Sequence, residues 1–196
     1  MTKRVVGIAS GETERRSLPH LIHHLLNEGI EMVEIRIPPR TGALGVEIVE
    51  KLIKAAWFQR IANPPDKFVV LVDSDGKDPD KVLRPFIEHL PPRLPSEVRP
   101  RVQYAVAQWH LEAWYFADPE NLRTYLNRPL GNVDSLQPDR IQNPKLHLKN
   151  LLGNRMYSAV VSEEISKAIN PLTIAQHSRS FRGFLDAIRN GERNFR

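Results

Sequence analysis

The chain has 196 residues, and its 28 lysines and arginines exceed its 23 aspartates and glutamates, which gives a formal net charge of +5. Apolar residues make up 41% of the chain and charged residues 26%, as in globular domains and unlike collagen-like or disordered chains. The absence of cysteine excludes disulfides, cysteine-ligated zinc, iron–sulfur clusters and thiol catalysis.

No apolar run reaches the roughly 20 residues that a membrane-spanning helix needs, and the start of the chain has too short an apolar core for a signal peptide. We therefore expect a cytoplasmic protein with no membrane partner. The mild positive charge is compatible with a polyanionic partner such as nucleic acid.

The first part of the chain alternates strand and helix patterns. A first strand is predicted from Val5 to Ala9, and leucines at helical spacing follow it up to a stop at Gly29. Alternating polar and apolar residues from Met32 to Ile37 predict a strand with one wet face, at a sheet edge. A second helix is predicted from about Leu44 to Ile61. Its predicted buried stripe is Ile48, Leu52, Ala55 and Ala56.

The most apolar strand candidate comes next. The unbroken run from Phe68 to Val72 predicts a central parallel strand that is buried on both faces. Asp78-Pro79 predicts the start of a third helix, because aspartate caps a helix and proline fits its first turn. A fourth strand is predicted from Val102 to Ala107, a helix from about His110 to Ala117, and another helix start at Asp118-Pro119.

The pattern from Pro144 onward is helical. Strand–helix alternation followed by helices predicts a three-layer α/β fold with a central, mainly parallel four-stranded sheet and a helical C-terminal part. We expect an α/β core in residues 1–126 and a helical extension in residues 127–196 that packs on it as one structural domain.

Acidic residues follow three of the four predicted strands, where parallel α/β sheets bind ligands. Glu14 follows the first strand, Asp73 and Asp75 follow the third, and Glu112 follows the fourth. Carboxylates that lie a few ångströms apart repel each other, and a hard divalent cation relieves the repulsion. The sequence therefore predicts a Mg²⁺ or Mn²⁺ site held by Asp73 and Asp75.

The remaining charged residues near these strand ends suggest roles around such a cation. Glu14 and Glu112 would complete its shell or move a proton, and Arg15 and Lys77 would neutralise a phosphate backbone. Trp109 and Trp114 flank Glu112, and both core packing and base stacking are compatible with them.

Several of these segments resemble a known family. They are Gly11-Glu12-Thr13-Glu14, Asp73-Ser74-Asp75, the run from His110 to Pro119 with its Leu-Glu-Ala-Trp and Ala-Asp-Pro, and the tail from Ser178 to Leu185. Together they resemble domain-of-unknown-function family 4276 (DUF4276). The resemblance implies a Toprim-like (Rossmannoid) fold, as in topoisomerases, primases and OLD-type nucleases. It also implies that Asp73 and Asp75 hold magnesium while a glutamate acts as general acid or base.

The first Toprim motif differs here, because Ser10 occupies the position of its glutamate. Serine neither binds magnesium as a carboxylate does nor exchanges a proton near neutral pH. The leading hypothesis is therefore Mg-dependent phosphodiester chemistry on nucleic acid, in phage defence or DNA repair, with Glu14 or Glu112 substituting for the missing acid.

Two alternatives remain open. The first is a non-catalytic Toprim-like module that binds nucleic acid or a partner protein of a defence or repair system. The second is a small-molecule phosphotransferase or phosphatase with Asp73 as a phosphorylated nucleophile. The sequence leaves the oligomeric state open.

Overall fold

The structure is a computed structural model that describes residues 2–40, 42–131 and 135–189. The last residues of the predicted helical extension, 190–196, lie outside the described residues. One parallel sheet has the strand order β2-β1-β3-β4. Its strands are β1 (Lys3–Ile8), β2 (Ile30–Arg36), β3 (Lys67–Asp73) and β4 (Val102–Ala107). The α/β fold class is thus confirmed, with β3 in the sheet interior and β2 at an edge as predicted.

Helices connect the strands and continue after the last one. They are α1 (Glu12–Leu21), α2 (Val46–Gln59), α3 (Pro79–His89), α4 (Glu112–Tyr115), α5 (Pro119–Leu126), α6 (Pro144–Leu152), α7 (Ala159–Ala168), α8 (Pro171–His177) and α9 (Arg179–Arg189). Within the described ranges, none of these helices has the length and apolar character that crossing a membrane requires.

Two apolar cores lie on opposite faces of the sheet, because successive side chains of a strand point to opposite sides. Val69 and Leu71 of β3 belong to the core shared with α1 and the helices after β4. Phe68, Val70 and Val72 belong to the core shared with α2 and α3. The sheet is therefore the middle layer of three, and helices from the C-terminal part share one of its cores.

Several helix boundaries follow from local chemistry. The Asp78 carboxylate accepts a hydrogen bond from the Asp80 N–H (2.9 Å), and the Asp118 carboxylate accepts one from the Asn121 N–H, as their Asp-Pro sequences predicted. Gly29 ends the first helical segment with a left-handed φ of 71°. Within that segment, α1 ends earlier than the leucine spacing predicted, and a 3₁₀ helix from His23 to Glu28 follows.

The predicted buried stripe of α2 was right for Ala56, and Leu52 packs partly buried against the core, but it was wrong for Ile48. The buried residues are Val49, Ile53, Ala56 and Trp57, whereas Ile48 is 37% exposed. The apolar residues of α2 occur around most of its circumference, so their spacing alone was compatible with more than one buried face. The helix predicted over 110–117 is also shorter, since α4 covers only Glu112–Tyr115.

Candidate active site

Three carboxylates from three different segments converge at the carboxyl edge of the sheet. Glu14 lies in the first turn of α1, Asp73 is the last residue of β3, and Glu112 is the first residue of α4. Glu14 is 7% exposed and Glu112 is 1% exposed. We call this group of Glu14, Asp73 and Glu112 the acidic pocket.

Burial and mutual repulsion shape the protonation of the acidic pocket. Burial raises the pKa of Asp73 well above its ordinary value, and the negative charges of Glu14, Glu112 and Asp75 raise it further. Burial also raises the pKa of Glu14, with a smaller contribution from the charge of Glu112. Without added positive charge, the pocket therefore favours holding a proton near Asp73.

Ser10 takes part in this arrangement through Glu14. The Ser10 hydroxyl and the N–H of Glu14 itself both lower the pKa of the Glu14 carboxyl, which opposes the effect of burial and favours its ionised form. Gly11 is the N-cap of α1, so Glu14 lies in the first turn, where the helix dipole favours negative charge. The first turn of α1 thus places a carboxylate beside position 10, although residue 10 itself is a serine.

Two residues of the C-terminal part, which the sequence reasoning missed, contact the pocket. The Tyr157 hydroxyl donates a 2.6 Å hydrogen bond to Glu112 Oε1, and Lys145 Nζ lies 3.7 Å from the same oxygen. The Lys145 ammonium lies 5.7 Å from the centroid of the Tyr157 ring. Its positive charge also lowers the pKa of both Glu14 and Asp73. Lys145 is therefore the counter-charge of the acidic pocket.

Asp75 is close enough for its charge to affect Asp73, but its side chain has a different partner. Asp75 adopts a positive φ of 50°, its side chain is 59% exposed, and its Oδ1 lies 3.0 Å from His110 Nε2. The structure thus brings Asp73 together with Glu14 and Glu112, while Asp75 lies at the rim of the pocket.

The loops after β3 and β4 are joined to each other beside the pocket. The Ser74 hydroxyl accepts a 2.8 Å hydrogen bond from the Trp109 N–H, and the Asp75 N–H donates to the Trp109 carbonyl (3.2 Å). The Trp109 ring lies so close to Gly76 that a Cβ there would be 2.5 Å from it. Trp109 thus has a structural role in these loops. Trp114 is fully buried in the core, where its Nε1–H donates to Ser180 Oγ (2.7 Å).

The predicted phosphate contacts lie outside the pocket. Arg15 is 53% exposed and pairs with Glu12 at 2.7 Å. Lys77 is exposed in the loop after β3. Neither side chain contacts the acidic pocket, so any phosphate contact that they make lies at its periphery.

The donor chemistry of the pocket fits a hard divalent cation. Three carboxylates and one ammonium group carry a formal charge of −2 when all are ionised, and carboxylate oxygens are the ligands that Mg²⁺ and Mn²⁺ prefer. In residues 2–40, 42–131 and 135–189, no three His, Asp or Glu side chains already form a set that could hold a metal. Binding a cation would therefore require these carboxylates to turn toward a common point.

Comparisons with known proteins give a family match and similarity to solved structures. A family model described as a domain of unknown function, DUF4276, matches residues 10–189. The C-terminal region of the Burkholderia pseudomallei OLD protein is similar in structure, with 18% identity over 96% of this chain and 98% of that chain and a TM-score of 0.41. The corresponding region of the Xanthomonas campestris pv. campestris OLD protein shows 18% identity over 95% and 94%, with a TM-score of 0.47. None of the curated proteins compared with the chain matches it.

Proposed function

The chain belongs to the DUF4276 family, and we propose that it cleaves phosphodiester bonds of nucleic acid with a divalent cation held at the acidic pocket. The observation that supports this proposal is the convergence of Glu14, Asp73 and Glu112 with the counter-charge of Lys145. We further propose that it acts in phage defence or DNA repair.

Electrostatic repulsion is the physical basis of the proposal. Loss of solvent around the half-buried Asp73, and then the charges of the buried Glu14 and Glu112, oppose its ionisation and raise its pKa. A divalent cation would remove this repulsion and let Asp73 ionise. Without a cation, the pocket would keep a proton on Asp73, and the pH dependence of stability can detect this proton.

The residues of the pocket would have two different roles, cation binding and proton transfer. Asp73 and Glu14 would hold the cation, and Asp75 would join them after leaving His110. A bound Mg²⁺ or Mn²⁺ supplies polarisation of a phosphoryl oxygen and lowers the pKa of a bound water. Glu112, which Tyr157 orients, would accept or donate a proton.

The surrounding cations would position the substrate. Lys145 carries positive charge next to the pocket and would bind a phosphate oxygen there. Arg15 and Lys77 would contact more distant phosphates, a role that requires Arg15 to leave Glu12.

Ser10 does not argue against catalysis in this arrangement. The carboxylate that the Toprim signature places at position 10 would be replaced by Glu14, whose ionised form the Ser10 hydroxyl favours. We therefore propose that Glu14 supplies the missing carboxylate as a ligand of the cation, while Glu112 exchanges the proton.

The test is cleavage of single- and double-stranded DNA and RNA with Mg²⁺ or Mn²⁺. We expect cleavage by the unmodified chain and loss of metal-dependent cleavage in Asp73→Asn, which removes a ligand of the cation. We expect at least about a hundred-fold less cleavage by Glu112→Gln, since general acid–base groups contribute about 10²–10⁴-fold. Asp66→Asn is the matched control. Asp66 lies just before β3, at the end of this strand opposite Asp73, and its carboxylate accepts a hydrogen bond from the Arg4 N–H. A folded chain that cleaves none of these substrates with either metal would contradict the proposal.

A second candidate function is a non-catalytic module that binds nucleic acid or a partner protein of a defence or repair system. It is favoured by the lack of a ready three-residue metal shell in the described part of the chain. Nucleic-acid affinity that persists in a chelator, but falls as salt rises, would support this module over the enzyme.

A further inference from the structure

A groove of about 800 Å³ runs along the outer edge of β4, away from the acidic pocket residues. Tyr104, Ala105 and Val106 of β4 line it, together with Gln108 just after the strand. Residues of α3 form one wall, among them Pro79 and Leu83. The opposite wall is α9 together with the segment around Arg140.

The floor of the groove offers backbone hydrogen-bonding groups. The Ser74 N–H donates to the Ala107 carbonyl, so Ala107 and Ala105 direct their backbone groups toward β3. Backbone groups alternate in direction along a strand, so those of Tyr104 and Val106 point into the groove. No strand of the described residues pairs with this edge, because β4 is the last strand of the sheet. Such an edge is a ready template for another extended segment.

The two walls differ in chemistry. The side chains of Tyr104 and Val106 lie on the α3 side, where Leu83 makes the wall apolar. The other wall carries Arg140, Arg179 and Arg182.

Three aspartates also line the groove, Asp139 and Asp186 on the arginine side and Asp80 on the α3 side. Asp139 accepts hydrogen bonds from Ser178 Oγ and from the N–H and Oγ of Ser180. Asp186 is exposed, and Arg189 one turn later pairs with Glu28. An incoming strand would therefore meet three arginines and two aspartates on the α9 side, and Pro79, Leu83 and Asp80 on the α3 side.

We propose that this groove binds an extended peptide from a partner protein, which adds to β4 as a fifth strand. The peptide has acidic side chains at alternate positions, facing Arg140 and Arg179, and apolar side chains between them, facing Leu83. Main-chain hydrogen bonds to Tyr104 and Val106 supply affinity, and the two walls supply specificity.

A peptide fits this place better than a second copy of the chain. An added strand needs a spacing of about 4.7–4.9 Å from β4. In each copy, α3 and α9 flank the groove on both sides. A second copy that paired through its own β4 would therefore bring its α3 and α9 into collision with α3 and α9 of the first copy.

The test uses a fluorescein-labelled peptide, Glu-Val-Glu-Val-Glu-Val, with blocked ends. We expect fluorescence anisotropy to rise on binding to the full chain. We expect at least about ten-fold weaker binding to Arg179→Glu, a loss of about 1.4 kcal/mol. Arg123→Glu, an exposed arginine on α5, is the matched control and should bind as the unmodified chain does. Replacing the glutamates of the peptide by lysine should abolish binding.

Amide hydrogen exchange identifies the binding edge. We expect the peptide to slow exchange at Tyr104 and Val106, while Ala105, whose N–H already faces β3, changes little. Absence of peptide binding, equal binding of the lysine peptide, or binding without protection at Tyr104 and Val106 would each overturn the proposal. So would a dimer in sedimentation that protects these two amides without peptide, because the occupant would then be a second copy.

Discussion

The Tyr157 hydroxyl donates a 2.6 Å hydrogen bond to Glu112 Oε1 and so connects the segment before α7 to the first residue of α4. Burial and the Glu112 charge raise the pKa of Tyr157, so the phenol stays protonated and remains a donor. This bond and the contact between Lys145 and Glu112 link the acidic pocket to the C-terminal part of the chain.

We predict that Tyr157→Phe lowers the free energy of unfolding by about 1.5–3 kcal/mol, because it leaves a buried carboxylate without its neutral donor. The measurement is urea denaturation at neutral pH. Tyr125→Phe is the matched control, since Tyr125 donates a 2.7 Å hydrogen bond to the half-exposed Glu164, and it should lose only about 0.5–1 kcal/mol. Equal losses in the two variants would mean that the burial of Glu112 does not matter.

A second prediction concerns the pH dependence of stability without metal. The folded-state pKa of Asp73 lies above its unfolded value of about 3.8, so the folded chain binds more protons over the interval between the two. The free energy of unfolding should therefore fall as pH rises through that interval, by at most about 1.4 kcal/mol per pH unit for this group. Asp73→Asn should flatten the fall, and a residual slope is expected from Glu14.

Denaturation at several pH values in a chelator measures this effect. Added Mn²⁺ should stabilise the unmodified chain and should stabilise Asp73→Asn much less. Asp66→Asn again serves as the control. If the free energy of unfolding varied with pH in the same way for the unmodified chain and for Asp73→Asn, ionisation of Asp73 would not destabilise the fold.

A third prediction concerns the contact between Gly76 and Trp109. Gly76 and Gly29 have nearly the same φ, 77° and 71°, so alanine costs about 1–2 kcal/mol of backbone strain at either position. Only at Gly76 does the new Cβ collide with a ring, because nothing lies within 4 Å of a Cβ at Gly29. Gly76→Ala should therefore cost at least about 1 kcal/mol more than Gly29→Ala in urea denaturation. Equal costs would show that Trp109 moves freely.

A fourth prediction concerns a lysine at the opposite end of the sheet. Lys67 is 3% exposed and donates to the Ala187 carbonyl near the end of α9 (3.1 Å). Burial, together with the nearby Lys3, lowers the pKa of Lys67 from 10.5 to about 7. The unfolded chain thus binds one more proton between about pH 7 and 10.5, and the free energy of unfolding should rise with pH over that range.

Replacing this lysine should remove the rise. Lys67→Met should show a flatter profile than the unmodified chain in urea denaturation from about pH 7 to 10. Lys54→Met, which removes a surface partner of Glu50, should keep the slope of the unmodified chain. Coincident slopes for Lys67→Met and the unmodified chain would mean that Lys67 keeps its proton.

Much of the fold followed from local patterns in the sequence. The branched apolar run before Asp73 predicted an interior strand, and Asp78, Asp118 and Gly29 marked helix ends because their chemistry acts within a few residues. The phase of α2 could not be predicted this way, since apolar residues occur around most of its circumference.

The candidate site was accessible to sequence reasoning only in part. Glu14, Asp73 and Glu112 each follow a strand, and parallel strands end at one edge, so topology brings them together. Lys145 lies on α6 and Tyr157 in the segment before α7, both later in the chain, and no spacing relates them to the acids. The positive φ of Asp75, which directs its side chain to His110, also left no pattern in the sequence.

The position of Lys145 has a consequence for how this protein can be divided. A fragment that stopped at Leu126, the end of α5, would retain every strand and all three pocket acids, yet it would lose the ammonium group on α6 that offsets their charge. A chimera that received only the strand-bearing half would therefore contain the three acids of the pocket without the positive charge of Lys145. Recombination between relatives would therefore have to exchange α6 along with the acids.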